Sequence, residues 1–462
     1  MLKPLVNAAG EKENIMQTID KVLSARNLTE ACSEVVKNKG AGGIDGMNVR
    51  QLKSYLDLHR EELSCTIREG KYIPQPIRGK QIPKRNAKVR LLGIPTVVDR
   101  MLQQAVLRVI MPQFEYMFSE YSYGFRLQRN TQQAVLKSLN YINSGYQHIV
   151  DIDLKGFFDE VDHCLLLDLL YRKVKCPVTM QLIRRWLRAP IWVKGELTKR
   201  RKGVPQGSPI SPLLSNIMLH ELDKELEREG LRFVRYADDF SIYCKTKTEA
   251  REKGNKIYLF LRDKLKLPIN REKSGIRRPV NFSILGYGFV PTYQKGVKGQ
   301  YQLIVEKSRW QQFKSKLKEV TRKTTPMTFD ERIQKIKQIQ LGWVNNFRLA
   351  NIHGKLNEVD GWLRNRLRYC IWHHWKKRER KRKNLIRLGV NPQDAFRWSS
   401  ACAKGYGRRS RSRLGGWAIA QSPILNTTIT VNLLVRRGYE SMLTWYQKVA
   451  PHKFDPTLFP IV

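Results

Sequence analysis

The stretch Arg235-Tyr236-Ala237-Asp238-Asp239-Phe240 sets two adjacent acids between residues that favour strands. Phe233, Val234 and Tyr236 precede the acids, and Phe240, Ile242 and Tyr243 follow them. All are β-branched or aromatic, so the pattern predicts a tight hairpin with both carboxylates at its tip. Two like charges about 4 Å apart cost on the order of 4 kcal/mol near a protein surface. A bound divalent cation offsets such repulsion. An Asp-Asp pair is equally an ordinary polar turn, so a metal site requires further carboxylates and an anionic substrate.

A second acidic stretch meets the first requirement. In His148-Ile149-Val150-Asp151-Ile152-Asp153-Leu154 an apolar strand is interrupted by acids, and Lys155-Gly156-Phe157-Phe158-Asp159 follows. An unpaired buried carboxylate is costly and needs a partner or a metal. On spacing alone, Asp151 and Asp153 are both candidates.

Charge meets the second requirement. Lys plus Arg is 85 against 41 Asp plus Glu, a net charge of +44 on 462 residues. Such an excess repels itself unless a polyanion is near, so nucleic acid is the leading partner. With 41% hydrophobic and 10% aromatic residues the chain has ample core material, which excludes global disorder. The seven cysteines are scattered without a Cys-x-x-Cys, which argues against a disulfide framework or a zinc module and fits a reducing cytosol. The start lacks an apolar signal core, and no apolar run approaches the roughly 20 residues that span a bilayer. A cytoplasmic protein without a membrane partner is expected. Asn426-Thr427-Thr428 matches a glycosylation acceptor, which without a secretory signal is a chance match.

Along the chain, residues 11–38 read as helix, with Ile15, Ile19, Val22 and Leu23 on one stripe. The glycine-rich 39–46 then reads either as a loop with glycines at positive φ or as backbone that approaches phosphate. It lacks the Gly-Lys-Ser/Thr ending of a P-loop. Residues 77–95 alternate apolar and basic side chains as a half-buried hairpin presenting Arg78, Lys84 and Arg90, three cations suited to a triphosphate. Asp99 is expected to cap the helix that follows. Residues 203–212, Gly-Val-Pro-Gln-Gly-Ser-Pro-Ile-Ser-Pro, read as a sharp loop that could hold Gln206 against a ligand, opening a helix at about 213–229. Strand signals end at Phe282–Val290. From Lys307 the period becomes helical through Trp310, Phe313, Leu317, Ile333, Ile336, Leu356, Val359 and Leu363, which places a boundary near 305. Beyond 370, the basic groups Lys376-Lys377-Arg378 and Arg408-Arg409-Ser410-Arg411 alternate with Trp372, Trp375, Trp398, Tyr406 and Trp417. Backbone-tracking cations with stacking platforms suit an RNA surface.

In this order, Ile152-Asp153 leading to Phe157-Phe158-Asp159, Pro205-Gln206-Gly207, Tyr236-Ala237-Asp238-Asp239, Asn270 with Lys273, and Leu285-Gly286 resemble reverse-transcriptase motifs. Leu92-Gly93-Ile94-Pro95, Tyr123-Gly124-Phe125-Arg126 and Leu341-Gly342-Trp343 resemble the bacterial group II intron-encoded proteins, most of all the short class without an endonuclease module. The resemblance covers essentially the whole chain.

It implies an α+β right-hand polymerase fold: N-terminal extension, fingers and antiparallel palm over 1–305, a helical thumb or maturase domain over 306–388, and a basic DNA-binding-like segment over 389–462. It further implies that Asp153 and Asp238, with Asp239 as a weaker ligand, hold two Mg²⁺ ions, for which Mn²⁺ could substitute. Counting back five residues from Phe158 selects Asp153 over Asp151. By the same resemblance Arg78, Lys84 and Arg90 hold the incoming dNTP, Ile94 and Gln206 line the nascent pair, Phe158 excludes a 2′-hydroxyl, and Lys273 is a further basic residue of the palm. The implied partners are the parent intron RNA, an RNA template with DNA primer, and target DNA, and the implied role is polymerase and splicing cofactor in retrohoming. Two alternatives stay open: a domesticated maturase with an idle polymerase, and a host-serving reverse transcriptase in phage defence.

Overall fold

Among the described residues, alternation of apolar and polar side chains produces eight strands before residue 278. They are β1 (Ile77–Pro83), β2 (Val89–Ile94), β3 (His148–Asp153), β4 (Ile191–Val193), β5 (Glu196–Thr198), β6 (Arg232–Tyr236), β7 (Asp239–Cys244) and β8 (Gly275–Arg277). The computed structural model describes residues 18–83, 89–292, 299–400 and 416–450. The chain divides into two compact units, Met1–Arg278 and Pro279–Val462.

In the first unit β6, β7, β3 and β8 form a four-stranded antiparallel sheet in that order. Its two faces differ because side chains alternate along a strand. Val150, Ile152, Phe240 and Ile242 point into the core, joined there by Ile257 and Leu261 of the Lys247–Asp263 helix. Fully burying a side chain of this size contributes about 1.5–3 kcal/mol. Asp151, Asp153, Asp239 and Ser241 share the opposite face, since Asp153 pairs with Asp239 and Asp151 with Ser241. At the far end of that face Tyr243 is buried and its hydroxyl meets Ser138 Oγ at 2.7 Å, in the Thr131–Asn143 helix.

The β1–β2 hairpin belongs to a second sheet of order β2-β1-β4-β5, in which β1 and β4 run parallel. Arg78 lies opposite Ile94 and Ile82 opposite Arg90, so Arg78, Arg90 and Ile94 share one face. Lys84 lies outside the described residues.

Several expectations need correction. The N-terminal helix is broken at Ser24, which caps Ala25–Lys37 by accepting from Asn27 N. Residue Thr96, not Asp99, caps the Val97–Glu115 helix. Asp99 is buried one turn in, accepting from Tyr72 Oη at 2.8 Å, Trp186 Nε1 at 2.9 Å, Thr96 Oγ1 at 2.8 Å and Gln75 N at 3.3 Å. Its carboxyl therefore joins helix, loop and a neighbouring helix instead of serving one helix end. The glycine-rich loop is packed against this element: a Cβ on Gly43 would lie 2.6 Å from Thr96 Cα, and Arg100 donates to the Ala41 carbonyl.

The second unit opens with a sheet of β9 (Ser283–Ile284), β10 (Tyr287–Pro291) and β11 (Tyr301–Val305), the last a strand beyond the expected end of strand structure. Helices Lys307–Val320, Phe329–Phe347 and His353–His374 follow, as their apolar period predicts. Trp343 lies between Trp310, at 4.4 Å between ring centroids, and Phe313, stacked at 4.5 Å. Trp372 and Trp375, expected as stacking platforms for RNA, are instead buried, so they serve the core. Residues 416–450 fold back on these helices. Buried Asp360 accepts from Tyr439 Oη at 2.7 Å, from Ser441 Oγ, and from the amides of Met442 and Leu443 at 3.2 Å each.

Candidate active site

The Tyr236–Asp239 pair closes a two-residue turn, Ala237-Asp238, with Ala237 at φ +57°. A left-handed alanine is strained, so surrounding contacts must hold it. Three do. Arg235, fully buried, forms an ion pair with buried Asp223 (Nε to Oδ1 2.7 Å) and donates to Asn216 Oδ1 at 3.0 Å and to the Ala237 carbonyl at 3.1 Å. Asn216 in turn donates to the Gly124 carbonyl at 2.9 Å. The chain at Gly124 passes so close that a Cβ there would lie 2.2 Å from Ala237 N, while Tyr123 N donates to the Arg235 carbonyl at 2.8 Å. The Tyr123-Gly124-Phe125-Arg126 stretch is thus a brace for the acidic tip.

Asp153 is oriented from a different direction. Asn270 donates its side-chain amide to Asp153 Oδ2 at 2.9 Å and its backbone amide to the Asp153 carbonyl at 2.8 Å. Ser274 Oγ accepts from Asp153 N at 3.0 Å, and Lys273 Nζ lies 3.4 Å from Asp153 Oδ2. Asp151, on the same face, is paired with Arg277 (2.8 Å), so its charge is already answered. Asp239 is not answered in this way. Its carboxyl opens to solvent, yet the protein crowded around it, and then Asp238, Asp153 and Asp151, raise its pKa to about 6 against an ordinary 3.8. Burial disfavours the charged carboxylate, and the neighbouring negative charges add to that.

The donor set is carboxylate oxygen, which suits a hard divalent cation such as magnesium. Among the described residues no group of three or more His, Cys, Asp and Glu side chains is arranged to hold a metal by itself. That fits magnesium as well, because it is commonly held by one or two carboxylates with water and substrate phosphates completing the shell.

The remaining expected residues of this unit lie on a continuous path from the acids. Phe158, half-buried and edge-on to Phe157 at 5.3 Å, accepts through its carbonyl from Val204 N at 2.6 Å. Two residues on, Gln206 accepts from Arg90 Nε at 2.6 Å, and its carbonyl from Gly93 N at 2.8 Å. Arg78 reaches the Gly42 carbonyl at 3.5 Å. The structure therefore brings together Asp153, Asp238, Asp239 and Lys273, and links Phe158 through Val204–Gln206 to Arg90 and Ile94. In the second unit Lys376, Lys377 and Arg378 are exposed, with Arg378 over the Phe396 ring at 4.6 Å, while Arg408, Arg409 and Arg411 lie outside the described residues. Sequence reasoning missed Arg235, Asp223 and Asn216. An arginine inside an otherwise apolar strand was the available signal, as was the seven-residue spacing of Asn216 and Asp223 along one helix face.

Carboxylates on neighbouring strands of an antiparallel sheet, in a unit whose cationic β1–β2 hairpin is held by the Val204–Gln206 loop, are an arrangement suited to a polymerase palm. The chain belongs to the reverse transcriptase family, with a group II intron maturase domain: "Reverse transcriptase (RNA-dependent DNA polymerase)" matches residues 82–289, and "Group II intron, maturase-specific domain" matches 310–389. It is 31% identical over 332 residues to the group II intron-encoded protein LtrA of Lactococcus lactis subsp. cremoris, covering 56% of this chain and 54% of that protein. It is 32% identical over 289 residues to protein YkfC of Escherichia coli K12, covering 54% of this chain and 76% of that one. The chain thus spans about half the length of LtrA. Among solved structures, a partial Cas6-RT-Cas1–Cas2 complex matches 53% of this chain and 42% of its own at 28% identity, with a TM-score of 0.35. No described helix is long and apolar enough to cross a membrane.

Proposed function

We propose that this protein is an RNA-directed DNA polymerase and intron maturase that binds its parent group II intron RNA, assists splicing, and copies RNA into DNA in retrohoming, in the cytoplasm of a bacterium. The observation that carries the reading is the register that sets Asp153 opposite Asp239 on one face of the sheet, with Asp238 beside it at the turn. In this reading Met1 to residue 305 forms the extension, fingers and palm, 306–388 the thumb, and 389–462 the segment that contacts target DNA.

Asp153, Asp238 and Asp239 would hold two Mg²⁺ ions, with Mn²⁺ a possible substitute. Such a pair stabilises both the attacking 3′-oxygen and the leaving pyrophosphate of an in-line displacement. The chain's own groups do the positioning. Asn270 and Lys273 fix the Asp153 carboxylate, and the Arg235 network holds Asp238 at the turn. Arg78, Arg90 and Lys84 grip the triphosphate of the dNTP. Gln206, held by Arg90, and Ile94 border the nascent base pair, and Phe158 closes the space a 2′-hydroxyl would fill. Lys376, Lys377, Arg378, Arg408, Arg409 and Arg411 contact RNA through its phosphates, which carry no sequence information.

The test is Mg²⁺-dependent primer extension on an RNA template. Asp238→Ala should abolish extension while leaving intron-RNA affinity nearly unchanged, because a carboxylate offers no positive charge to RNA phosphates. Extension surviving in the variant overturns the catalytic assignment; unaltered binding with no wild-type extension supports the maturase without polymerase.

A further inference from the structure

In the second unit a cavity of about 410 Å³ is lined by Phe329, His374, Trp375, Lys376, Arg380 and Arg437 over a floor that includes Cys370 and Ile371. These residues come from the start of one helix, the end of another and the turn after the Val431–Arg436 helix, so the concavity exists only in the folded unit. The volume falls in the range of sites that enclose one small ligand. No carboxylate lines it. Arg332 beneath is committed to the Val320, Arg322 and Thr325 carbonyls and is structural.

Among the described residues none of His374, Lys376, Arg380 and Arg437 is paired with a carboxylate, while the Arg437 guanidinium sits 5.6 Å from the Phe329 ring centre. The Arg378–Arg387 helix begins at this cavity; its N-cap, Lys377, supplies no side-chain cap, and the exposed Glu379 stands in its first turn. Uncapped amides with unpaired cations select a phosphate. Aromatic surface beside them selects a base. A flat basic face would track a duplex backbone, whereas an open concave pocket with both features fits one nucleotide removed from its stack.

We propose that this cavity binds a single unstacked nucleotide of an RNA, its base against the half-exposed Phe329 and its phosphate among Lys376, Arg380, Arg437 and the uncapped helix start. The proposal rests on the RNA-binding reading above and adds the structural feature of RNA that is recognised. It is tested with the full chain and two short RNA hairpins, identical except for one bulged 4-thiouridine in the first. Wild type should bind the bulged hairpin about tenfold more tightly, the weight of roughly one stacked base, and irradiation should crosslink the thiouridine to the peptide spanning residues 371–380 or to Phe329. Arg380→Ala/Arg437→Ala, both exposed and hence compatible with folding, should reduce the discrimination to about onefold. Equal wild-type affinity for the two hairpins, or discrimination that survives in the double variant, overturns the pocket while leaving RNA binding intact. Failure to bind either hairpin overturns the RNA-binding reading and the pocket with it. Displacement of the crosslink by a poly-glutamate peptide at lower concentration than by the paired hairpin assigns the cavity to an acidic protein segment and also overturns the proposal.

Discussion

Replacing Asp223 by Ala tests how the acidic turn is held. Both Asp223 and Arg235 have fully buried side chains, and their paired oxygens and nitrogens have no water to fall back on. Removing one partner of such a pair costs about 3–5 kcal/mol, because the other charge is left uncompensated. For a unit of this size that corresponds to a melting temperature lower by roughly 6–20 °C. The same guanidinium holds Asn216 and the Ala237 carbonyl, so a swinging Arg235 also releases the strained alanine and with it the position of Asp238. Thermal unfolding and primer extension should therefore both fall. Asp223→Leu with Arg235→Met separates the two effects. An apolar pair of similar bulk restores much of the stability, but it donates nothing to Asn216 or Ala237, so extension should stay low. A loss of less than about 1 kcal/mol in Asp223→Ala, well below the expected cost, or a fully active double replacement, refutes the claim that this ion pair positions the turn.

Two further outcomes are expected. The Asp239 carboxyl, at about 6 when folded against 3.8 ordinarily, holds its proton more tightly in the folded chain, so the stability this proton adds is complete below about pH 4 and lost as pH rises through 6. Urea unfolding in EDTA should show this trend in wild type and not in Asp239→Asn, whereas extension should rise through the same interval with a midpoint that added Mg²⁺ moves lower; a pH-independent difference between the two proteins contradicts the crowding of carboxylates. Phe158→Ala should admit ribonucleotides in single-nucleotide extension, and unchanged sugar selectivity would show that Phe158 serves only packing against Phe157.

The acidic turn was readable because strand alternation is local: Phe233 to Tyr243 declares its own hairpin. The choice of Asp153 over Asp151 was not local. It needed the resemblance; in the structure Asp151 pairs with Arg277, 126 residues away, while Asp153 faces Asn270 and Lys273. Asp99 misled for the same reason. Thr96-x-x-Asp99 has the look of a helix start, yet the partners that draw Asp99 inside lie 27 and 87 residues off, at Tyr72 and Trp186. Trp372 and Trp375 were hidden by the basic residues that follow, although Leu363, Leu367 and Ile371 already mark the buried side of that helix. Of the glycines of 39–46, Gly43 lies against Thr96 and Gly40 against Arg100, partners no window of sequence would place beside them.

The anchorage of Asp360 bears on how this protein could be re-engineered. The maturase-domain match stops at residue 389, an inviting junction for grafting the following segment of a relative. A graft made there would strip Asp360 of the hydroxyls of Tyr439 and Ser441 and the amides of Met442 and Leu443, unless the donor sequence happened to restore them. Chimaeras should therefore carry the Asp360 helix and its clasp from one parent, making the exchangeable cassette longer than family boundaries suggest.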